Sequence, residues 1–210
     1  MSSSIIPEFE AANEQYAAPF DKGDLTLPPS RHVTVLACMD ARLDPTQFLG
    51  IELGSAHVIR NAGGRAADAL RSIIISQQLL GTREIVVVHH TDCGMLTFSD
   101  MGLKAKLRKE LDQDVDHMAF LPFGDLEQSV RDDVAFLKKS PLVLDVPITG
   151  FIYDVKSGKI NKVDVSMDGG SAIAGRNFGL SQTIPHQYST KSSVSAVLVR
   201  TDWRYPLVRK

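Results

Sequence analysis

The chain has 210 residues, of which 43% are hydrophobic and 23% are charged, and its formal net charge is −2. This composition is typical of a globular protein with one full core, and the near-neutral total does not indicate nucleic-acid binding. No apolar run approaches the ~18 residues that a membrane-spanning helix needs, so we expect no membrane partner.

Charge is distributed unevenly along the chain. Residues 1–170 carry 17 basic and 24 acidic groups, whereas residues 171–210 carry six basic groups and one acidic group. The sequence therefore predicts a basic C-terminal extension on an acidic body. The first six residues lack the charged and apolar regions of a secretory signal, so we expect a cytoplasmic protein with reduced cysteines. The alternative is one disulfide between Cys38 and Cys93.

Helices and strands alternate along the chain. The apolar periodicity predicts helices over residues 5–20, from Pro45, and over 66–80, 103–111 and 125–139. Between and after these helices it predicts strands at Val33–Ala37, His57–Ile59, Ile85–Val88, Thr149–Val155 and Ile160–Val165. This order predicts an α/β fold, because parallel strands need helical crossovers. We expect a mostly parallel β-sheet of four to five strands flanked by helices, with the last strand at an edge.

These elements divide the chain into three parts. Residues 1–30 are predicted to form an N-terminal helical arm and linker, residues 31–167 an α/β domain, and residues 168–210 the basic extension. Phe9 and Tyr16 fall on one apolar stripe of the arm, and this stripe has no place in a compact core. We therefore expect the arm to pack on a partner subunit.

Two short motifs contain both cysteines of the chain. Cys38–Arg42 (Cys-Met-Asp-Ala-Arg) follows the first predicted strand, and His90–Cys93 (His-Thr-Asp-Cys) follows the third. In open parallel sheets, ligands bind at the carboxyl ends of the strands, so Cys38, His90 and Cys93 are expected to converge. Two cysteines and one histidine leave the fourth position of a tetrahedral zinc ion open, which is typical of a catalytic metal site.

His89 is a competing candidate for the histidine ligand. Alternation along a strand sends His89 and His90 to opposite faces, and a His-x-x-Cys spacing is the more typical of metal-binding loops. We therefore favour His90 and expect His89 to be buried and hydrogen-bonded. The remaining histidines are expected to be structural or solvated: His32, His57, His117 and His186. Asp92 is expected to be an ordinary loop residue.

Asp40 and Arg42 point to the same side as Cys38 if the segment is extended. Two thiolates cancel the charge of Zn²⁺ and weaken its effect on a bound water, so another group must help. A carboxylate at Asp40 can orient that water, and Arg42 can hold the carboxylate by paired hydrogen bonds and keep it ionised. An ordinary salt bridge at the end of a strand is the alternative for this pair.

A glycine-containing segment, Asn61–Gly64, follows the second predicted strand. It matches neither the dinucleotide-binding nor the P-loop pattern, so it does not indicate nucleotide binding. Because glycine has no Cβ, we expect this segment to let the backbone approach the metal site closely.

In combination, these residues resemble the β-class carbonic anhydrases, in the short microbial-type branch of that family. The similarity extends over roughly residues 5–165 and rests on four segments: Cys38–Asp44, His57–Gly64, His89–Leu96 and Gly150–Val155. The resemblance implies reversible hydration of carbon dioxide to bicarbonate by zinc-bound hydroxide. It also implies one Zn²⁺ per subunit, held by Cys38, His90 and Cys93, with Asp40 and Arg42 as the catalytic pair. A homodimer or a tetramer of dimers is implied as well, with the N-terminal helix on the partner.

The same branch includes carbonyl sulfide hydrolases and carbon disulfide hydrolases, which share all of these motifs. We place hydration of carbon dioxide first on the ground of family membership alone. Hydrolysis of carbonyl sulfide or carbon disulfide stays the alternative, because the motifs do not define the shape of the pocket. A non-enzymatic structural zinc module is disfavoured, since such sites usually use four protein ligands. A cysteine redox enzyme is disfavoured because Cys38 and Cys93 form no C-x-x-C motif.

Overall fold

The computed structural model describes residues 4–165 of the chain. Within this range one sheet contains β1 Val33–Cys38, β2 Ala56–Asn61, β3 Glu84–His90, β4 Ile148–Tyr153 and β5 Ile160–Val163. The α-helices of the same range are α1 Ile6–Ala17, α2 Pro45–Phe48, α3 Ala66–Gln78, α4 Asp100–Leu111 and α5 Leu126–Lys139. Two 3₁₀ turns, Ala62–Gly64 and Gly94–Leu96, follow β2 and β3. Every predicted element is present, with bounds that differ by a few residues.

The sheet has the strand order β2-β1-β3-β4-β5. The first four strands in this order are parallel, and β5 pairs antiparallel with β4 at the edge. The helices α3, α4 and α5 lie in the crossover connections between parallel strands, as such a sheet requires. The predicted α/β fold with a mostly parallel sheet is therefore confirmed.

The register of the sheet brings several strand ends to one edge. Cys38, the last residue of β1, is level with Asn61, the last residue of β2. His90, the last residue of β3, is level with Tyr153 at the end of β4. Because these strands are parallel, their carboxyl ends share an edge, and this edge is where a ligand site is expected.

The main core lies between the sheet and the helices α3 and α5, which pack on one of its faces. Its larger buried members on β1, β3, α3 and α5 are Leu36, Ile85, Val87, Ile73, Val130, Val134 and Leu137, and Ile148 of β4 and Val163 of β5 belong to the same cluster. On the opposite face, Val35, Ala37 and Val88 form a second cluster against Phe48 and Ile51. Burial on both faces explains why β1 and β3 are apolar along almost their whole length.

Helix α5 is well defined by its ends. The carboxylate of its N-cap residue, Asp125, accepts a hydrogen bond from the backbone N–H of Gln128 at 2.7 Å. Lys138 and Lys139 lie in the last turn, where positive charge interacts favourably with the helix dipole. These features hold α5 in place against β3 and β4, next to the carboxyl edge of the sheet.

Helix α1 leaves its apolar side chains exposed. No residue of α1 is buried, and the side chains of Phe9 and Tyr16 are 62% and 59% exposed. The helix is present as predicted, and residues 4–165 do not bury its apolar stripe. The expected packing of this arm on a second subunit stays a prediction.

The predictions of a basic C-terminal extension and of no membrane partner can be compared with the described residues as follows. The basic extension expected at residues 168–210 lies outside the described residues. Between residues 4 and 165, no helix combines the length and the apolar character needed to span a lipid bilayer.

Candidate metal centre

Cys38, His90 and Cys93 converge at the carboxyl edge of the sheet. Their sulfur and nitrogen ligand atoms all lie within 4.8 Å of one another. Cys38 ends β1, His90 ends β3, and Cys93 follows β3 after a short turn. All three residues are buried. The structure thus brings together the three residues that the sequence analysis selected, and it does so because β1 and β3 are neighbours in the sheet.

The hydrogen bonds of His90 leave one ring nitrogen free for a metal. His90 Nδ1 lies 2.9 Å from the carbonyl oxygen of Thr91, which can only accept, so the proton is assigned to Nδ1. Nε2 is buried and has no hydrogen-bond partner among the described residues. A neutral imidazole with its Nε2 lone pair directed into a site with two thiols is suited to bind a metal ion.

The two thiols of the site differ in their affinity for a proton. A hydrogen bond from Cys93 and the backbone N–H groups of Asp40 and Gly63 hold the pKa of Cys38 well below its usual value, although burial opposes this. The bond to Cys38 and burial raise the pKa of Cys93. The two thiols thus differ in the ease with which they lose a proton, and binding of a divalent cation, which requires thiolates, releases protons from the pair.

The donor set fits zinc. Both cysteines are free, so the alternative of a disulfide is not the state of this structure. Two thiolates and one imidazole are typical ligands of a zinc ion with an open fourth position. The orphaned Nε2 of His90 supports the same interpretation, because a buried nitrogen without a partner is costly unless a ligand satisfies it.

Asp40 and Arg42 form the predicted pair beside these three residues. Arg42 Nε donates to Asp40 Oδ1 at 3.0 Å, and Arg42 Nη2 donates to Asp40 Oδ2 at 2.8 Å. These bonds to the guanidinium hold the pKa of the Asp40 carboxyl well below its usual range. Asp40 Oδ2 lies 3.8 Å from His90 Nε2, so an ionised carboxylate faces the position that the three ligand atoms surround.

Asp92 has a contact that the sequence analysis did not anticipate. It lies in a loop, as expected, but its Oδ2 accepts a hydrogen bond from Arg42 Nη1 at 2.7 Å. Its carbonyl oxygen accepts a second bond from Arg42 Nη2 at 2.9 Å. The backbone of Asp92 is left-handed, with φ 55°, and this turn directs the residue toward Arg42. No local pattern reveals this contact, because Arg42 and Asp92 follow different strands.

The segment Asn61–Gly64 lies directly against the metal site, as predicted from its glycines. A Cβ atom on Gly64 would lie 3.1 Å from the backbone nitrogen of Cys38, and Gly64 has a φ of +67°. Gly63 has a φ of +79°, and a Cβ atom there would lie 2.8 Å from Met95 Cγ. Both positions therefore need glycine for reasons of space and conformation.

Three further histidines have hydrogen-bond partners outside the three converging residues, and His186 lies outside the described residues. His89 is fully buried, and its Nδ1 lies 2.7 Å from Ser129 Oγ on α5, which confirms the prediction of a buried, hydrogen-bonded histidine. His57 Nδ1 lies 2.7 Å from Ser76 Oγ. His32 Nδ1 lies 3.2 Å from the carbonyl oxygen of Gly81.

An apolar shell surrounds the site. Cys38 and Cys93 belong to a buried cluster with Leu43 and Met95. Partly buried side chains pack against this cluster: Phe48, Ala62, Phe98, Phe123, Tyr153 and Val155. Such a lining suits a small apolar molecule and strengthens the electrostatic interactions inside the site.

Comparisons with known proteins agree on one family. The family model described as "Carbonic anhydrase" matches residues 33–160, which is more than half of the chain. "Beta-carbonic anhydrase 1" of Mycobacterium tuberculosis is 44% identical over 164 residues, covering 76% of this chain and 98% of that protein. "Carbon disulfide hydrolase" of Saccharolobus solfataricus is 34% identical over 188 residues, covering 77% of this chain and 90% of that protein. The solved carbonic anhydrase of Glaciozyma antarctica has a TM-score of 0.71 and 49% identity, covering 77% of this chain and all of that one.

Removal of one converging side chain tests the metal centre. We expect His90→Ala and Cys93→Ser to lose stoichiometric zinc, because each change removes one of three buried ligand atoms. Metal content after dialysis, measured by atomic emission, checks this. The control is His117→Ala, which removes an exposed histidine and should keep one zinc per chain. Retention of stoichiometric zinc by both ligand variants would contradict the assignment.

Proposed function

The chain belongs to the β-class carbonic anhydrase family, and on that premise we propose that it catalyses the zinc-dependent, reversible hydration of carbon dioxide to bicarbonate. The observation that carries the proposal is the convergence of Cys38, His90 and Cys93 within 4.8 Å, with an Arg42-bound carboxylate beside them. We assign the three converging residues as zinc ligands and Asp40 and Arg42 as the catalytic pair.

When bound, zinc acts as a Lewis acid and lowers the pKa of a water molecule at its open coordination position. The chain's own residues then direct this water. Asp40 Oδ2 would accept a hydrogen bond from it and so orient it toward the substrate carbon. Arg42 keeps Asp40 ionised and fixed, because its Nε and Nη2 donate to the two carboxylate oxygens. Asp92 in turn holds the guanidinium from the other side.

The apolar shell completes the proposed site. Carbon dioxide is linear and has no net dipole, so side chains such as Phe48, Met95 and Phe123 can surround it without leaving unpaired polar groups. Bicarbonate carries a charge that these side chains do not compensate, which favours its release. The site therefore discriminates between substrate and product by polarity.

Hydrolysis of carbon disulfide or carbonyl sulfide is the second candidate. The relative of 34% identity named carbon disulfide hydrolase supports it, together with the apolar lining of the site. The same residues can direct water to the carbon of any linear molecule of this kind. The two candidates differ in the shape of the pocket and its access, rather than in the groups that direct the water.

A paired assay separates these activities. We expect the zinc-loaded protein to hydrate carbon dioxide in stopped-flow measurements and to release little hydrogen sulfide from carbonyl sulfide or carbon disulfide. Removal of zinc with a chelator should abolish hydration, and added zinc should restore it, because the open metal position provides the reacting water. Hydrogen sulfide release with negligible hydration would overturn the first choice. A protein that binds no zinc would overturn both candidates.

Arg42→Ala tests the orienting pair. The change removes the two side-chain bonds that hold Asp40, whose Oδ2 lies only 3.8 Å from His90 Nε2, so the carboxylate can move to the metal position and block it. We expect kcat/KM for hydration to fall by about 10–100-fold, as for other groups that orient ligands or water at a metal. Zinc content should be unchanged.

The control for this variant is Arg108→Ala. Arg108 is also a half-exposed arginine paired with carboxylates, Asp114 and Asp116, and it lies on α4 away from the catalytic pair. Its loss should leave kcat/KM unchanged. A fully active Arg42→Ala enzyme with zinc bound would contradict the proposed role of the pair.

The proposal extends to the assembly and location of the protein. We assign catalysis to residues 31–167 and expect a homodimer or a tetramer of dimers, in which α1 packs on the partner subunit. Support comes from α1 itself, since its large apolar side chains are exposed in the single chain. A cytoplasmic location suits free cysteines that serve as metal ligands.

Disruption of the α1 stripe tests the assembly. Phe9→Glu places a charge on an apolar surface that we expect to be buried between subunits, so dissociation should occur at a higher protein concentration. Sedimentation velocity of the full chain over a concentration series measures this. Glu10→Ala, an exposed change on the same helix, should leave association unchanged. A wild-type chain that is monomeric at all concentrations would contradict the proposal.

A further inference from the structure

A buried ionic contact links helix α5 to the loop that covers the metal site. Asp133 on α5 is only 2% exposed. Its Oδ1 lies 3.2 Å from Arg65 Nη2, and its Oδ2 lies 3.2 Å from His89 Nε2. His89 Nε2 also lies 3.3 Å from the carbonyl oxygen of Gly64. Asp133 thus contacts the loop directly through Arg65 and, through His89, the carbonyl of Gly64.

The loop between β2 and α3 is closed by a reciprocal pair of hydrogen bonds. Asn61 Oδ1 accepts from the backbone N–H of Arg65 at 2.8 Å, and Asn61 Nδ2 donates to the carbonyl oxygen of Arg65 at 2.9 Å. These bonds tie the two ends of residues 61–65 together. A displacement of Arg65 would therefore move Asn61, at the other end of the loop, as well.

The other side of this loop touches the first proposed ligand. The backbone N–H of Met39 donates to the carbonyl oxygen of Asn61 at 2.8 Å. Gly64 approaches so closely that a Cβ there would lie 3.1 Å from the nitrogen of Cys38. The backbone of Cys38 and Met39, and with it the direction of the Cys38 side chain, therefore depends on where the loop lies.

Stability alone is a poor explanation for this buried ion pair. Asp133 lies on α5 beside Val130 and Val134, which are almost fully buried, and a charge there carries a large desolvation cost. Arg65 Nε and Nη1 are buried without a hydrogen-bond partner among the described residues. An imperfectly satisfied pair of this kind stabilises a fold weakly, and an apolar pair of similar volume often does better.

We propose that Asp133 is a positioning residue for the metal centre: it holds Arg65, and with it the loop 61–65, so that the loop stays against the backbone of Cys38 and Met39 and fixes the direction of the Cys38 side chain. The inference rests on the proposed zinc site. It adds a function for a residue that lies on the far side of the loop from the metal ligands. Asp133 acts through the loop and does not contact the substrate.

Asp133→Asn tests the inference, since it removes the charge with almost no change in shape. We expect zinc affinity, measured by competition with a chelator, to fall by about 10–100-fold, the range found when outer groups that orient metal ligands are changed. In the cobalt-substituted protein, we expect the thiolate-to-cobalt absorption band to shift, because its energy depends on how the Cys38 sulfur is directed toward the metal.

Arg65→Gln breaks the same contact from the side of the loop and should produce both effects. It provides a second variant in case Asp133→Asn folds poorly. The matched control is Asp132→Asn, an exposed neighbour whose carboxylate bonds to Gln128 Nε2 at 2.8 Å on the helix surface. Both metal measurements should remain at wild-type values in this control.

Urea unfolding of all variants separates positioning from stability. A destabilised Asp133→Asn protein with wild-type zinc affinity and an unshifted cobalt band would overturn the inference. A wild-type protein that binds zinc while neither variant alters the metal centre would overturn it as well, and would leave the proposed function standing. A wild-type protein that binds no zinc would overturn the metal site itself.

Discussion

The parallel pairing of β1 with β3 is the constraint on which the rest of the site depends. Ala37 of β1 is level with Val88 of β3, so the ends of the two strands lie side by side at one edge. Cys38 and His90 occupy those ends, although they are separated by about one quarter of the chain. A shift of one residue in either strand would turn its side chain to the opposite face. The buried, apolar faces of β1 and β3 resist such a shift, so the core also maintains the geometry of the site.

Charge in the site is balanced by groups from several elements. The proposed ligands include a thiol pair in which Cys38 gives up its proton easily, because Cys93 and backbone N–H groups bond to its sulfur. Arg42 compensates two carboxylates, Asp40 and Asp92, that follow different strands. Arg42 therefore joins the turn after β1 to the turn after β3. This arrangement keeps Asp40 ionised and close to the metal position without letting it move freely.

Helix α5 contacts the same edge of the sheet through His89. Ser129 and Asp133 contact His89, while the next residue of the strand, His90, faces the proposed metal position. Alternation along β3 thus separates a histidine that joins the sheet to α5 from one that is available as a ligand. The loop 61–65 lies between these two regions, and its glycines let it contact both. Helix packing and ligand geometry are coupled through this loop.

Much of the fold could be predicted from the sequence, because its local patterns have local causes. The β-branched runs of β1 and β3, the caps of α5 and the glycines after β2 each specify the conformation of their own segment. The selection of His90 over His89 also followed from local rules, namely strand alternation and spacing. The motifs were sufficient to suggest three converging ligands and an aspartate-arginine pair, since both motifs lie at strand ends.

Several contacts between distant segments could be found only in the tertiary structure. Nothing near Asp92 indicates that it bonds to Arg42, and nothing in α5 indicates that Asp133 contacts Arg65, because each pair meets only after the strands and helices have packed. The sequence by itself determined the secondary structure, the identity of the candidate ligands and the family of the protein. The tertiary structure decided which charges meet, which histidine nitrogen is free and how closely the glycine loop approaches Cys38. These depend on distances between elements, and such distances are set by packing of the whole domain rather than by any local pattern.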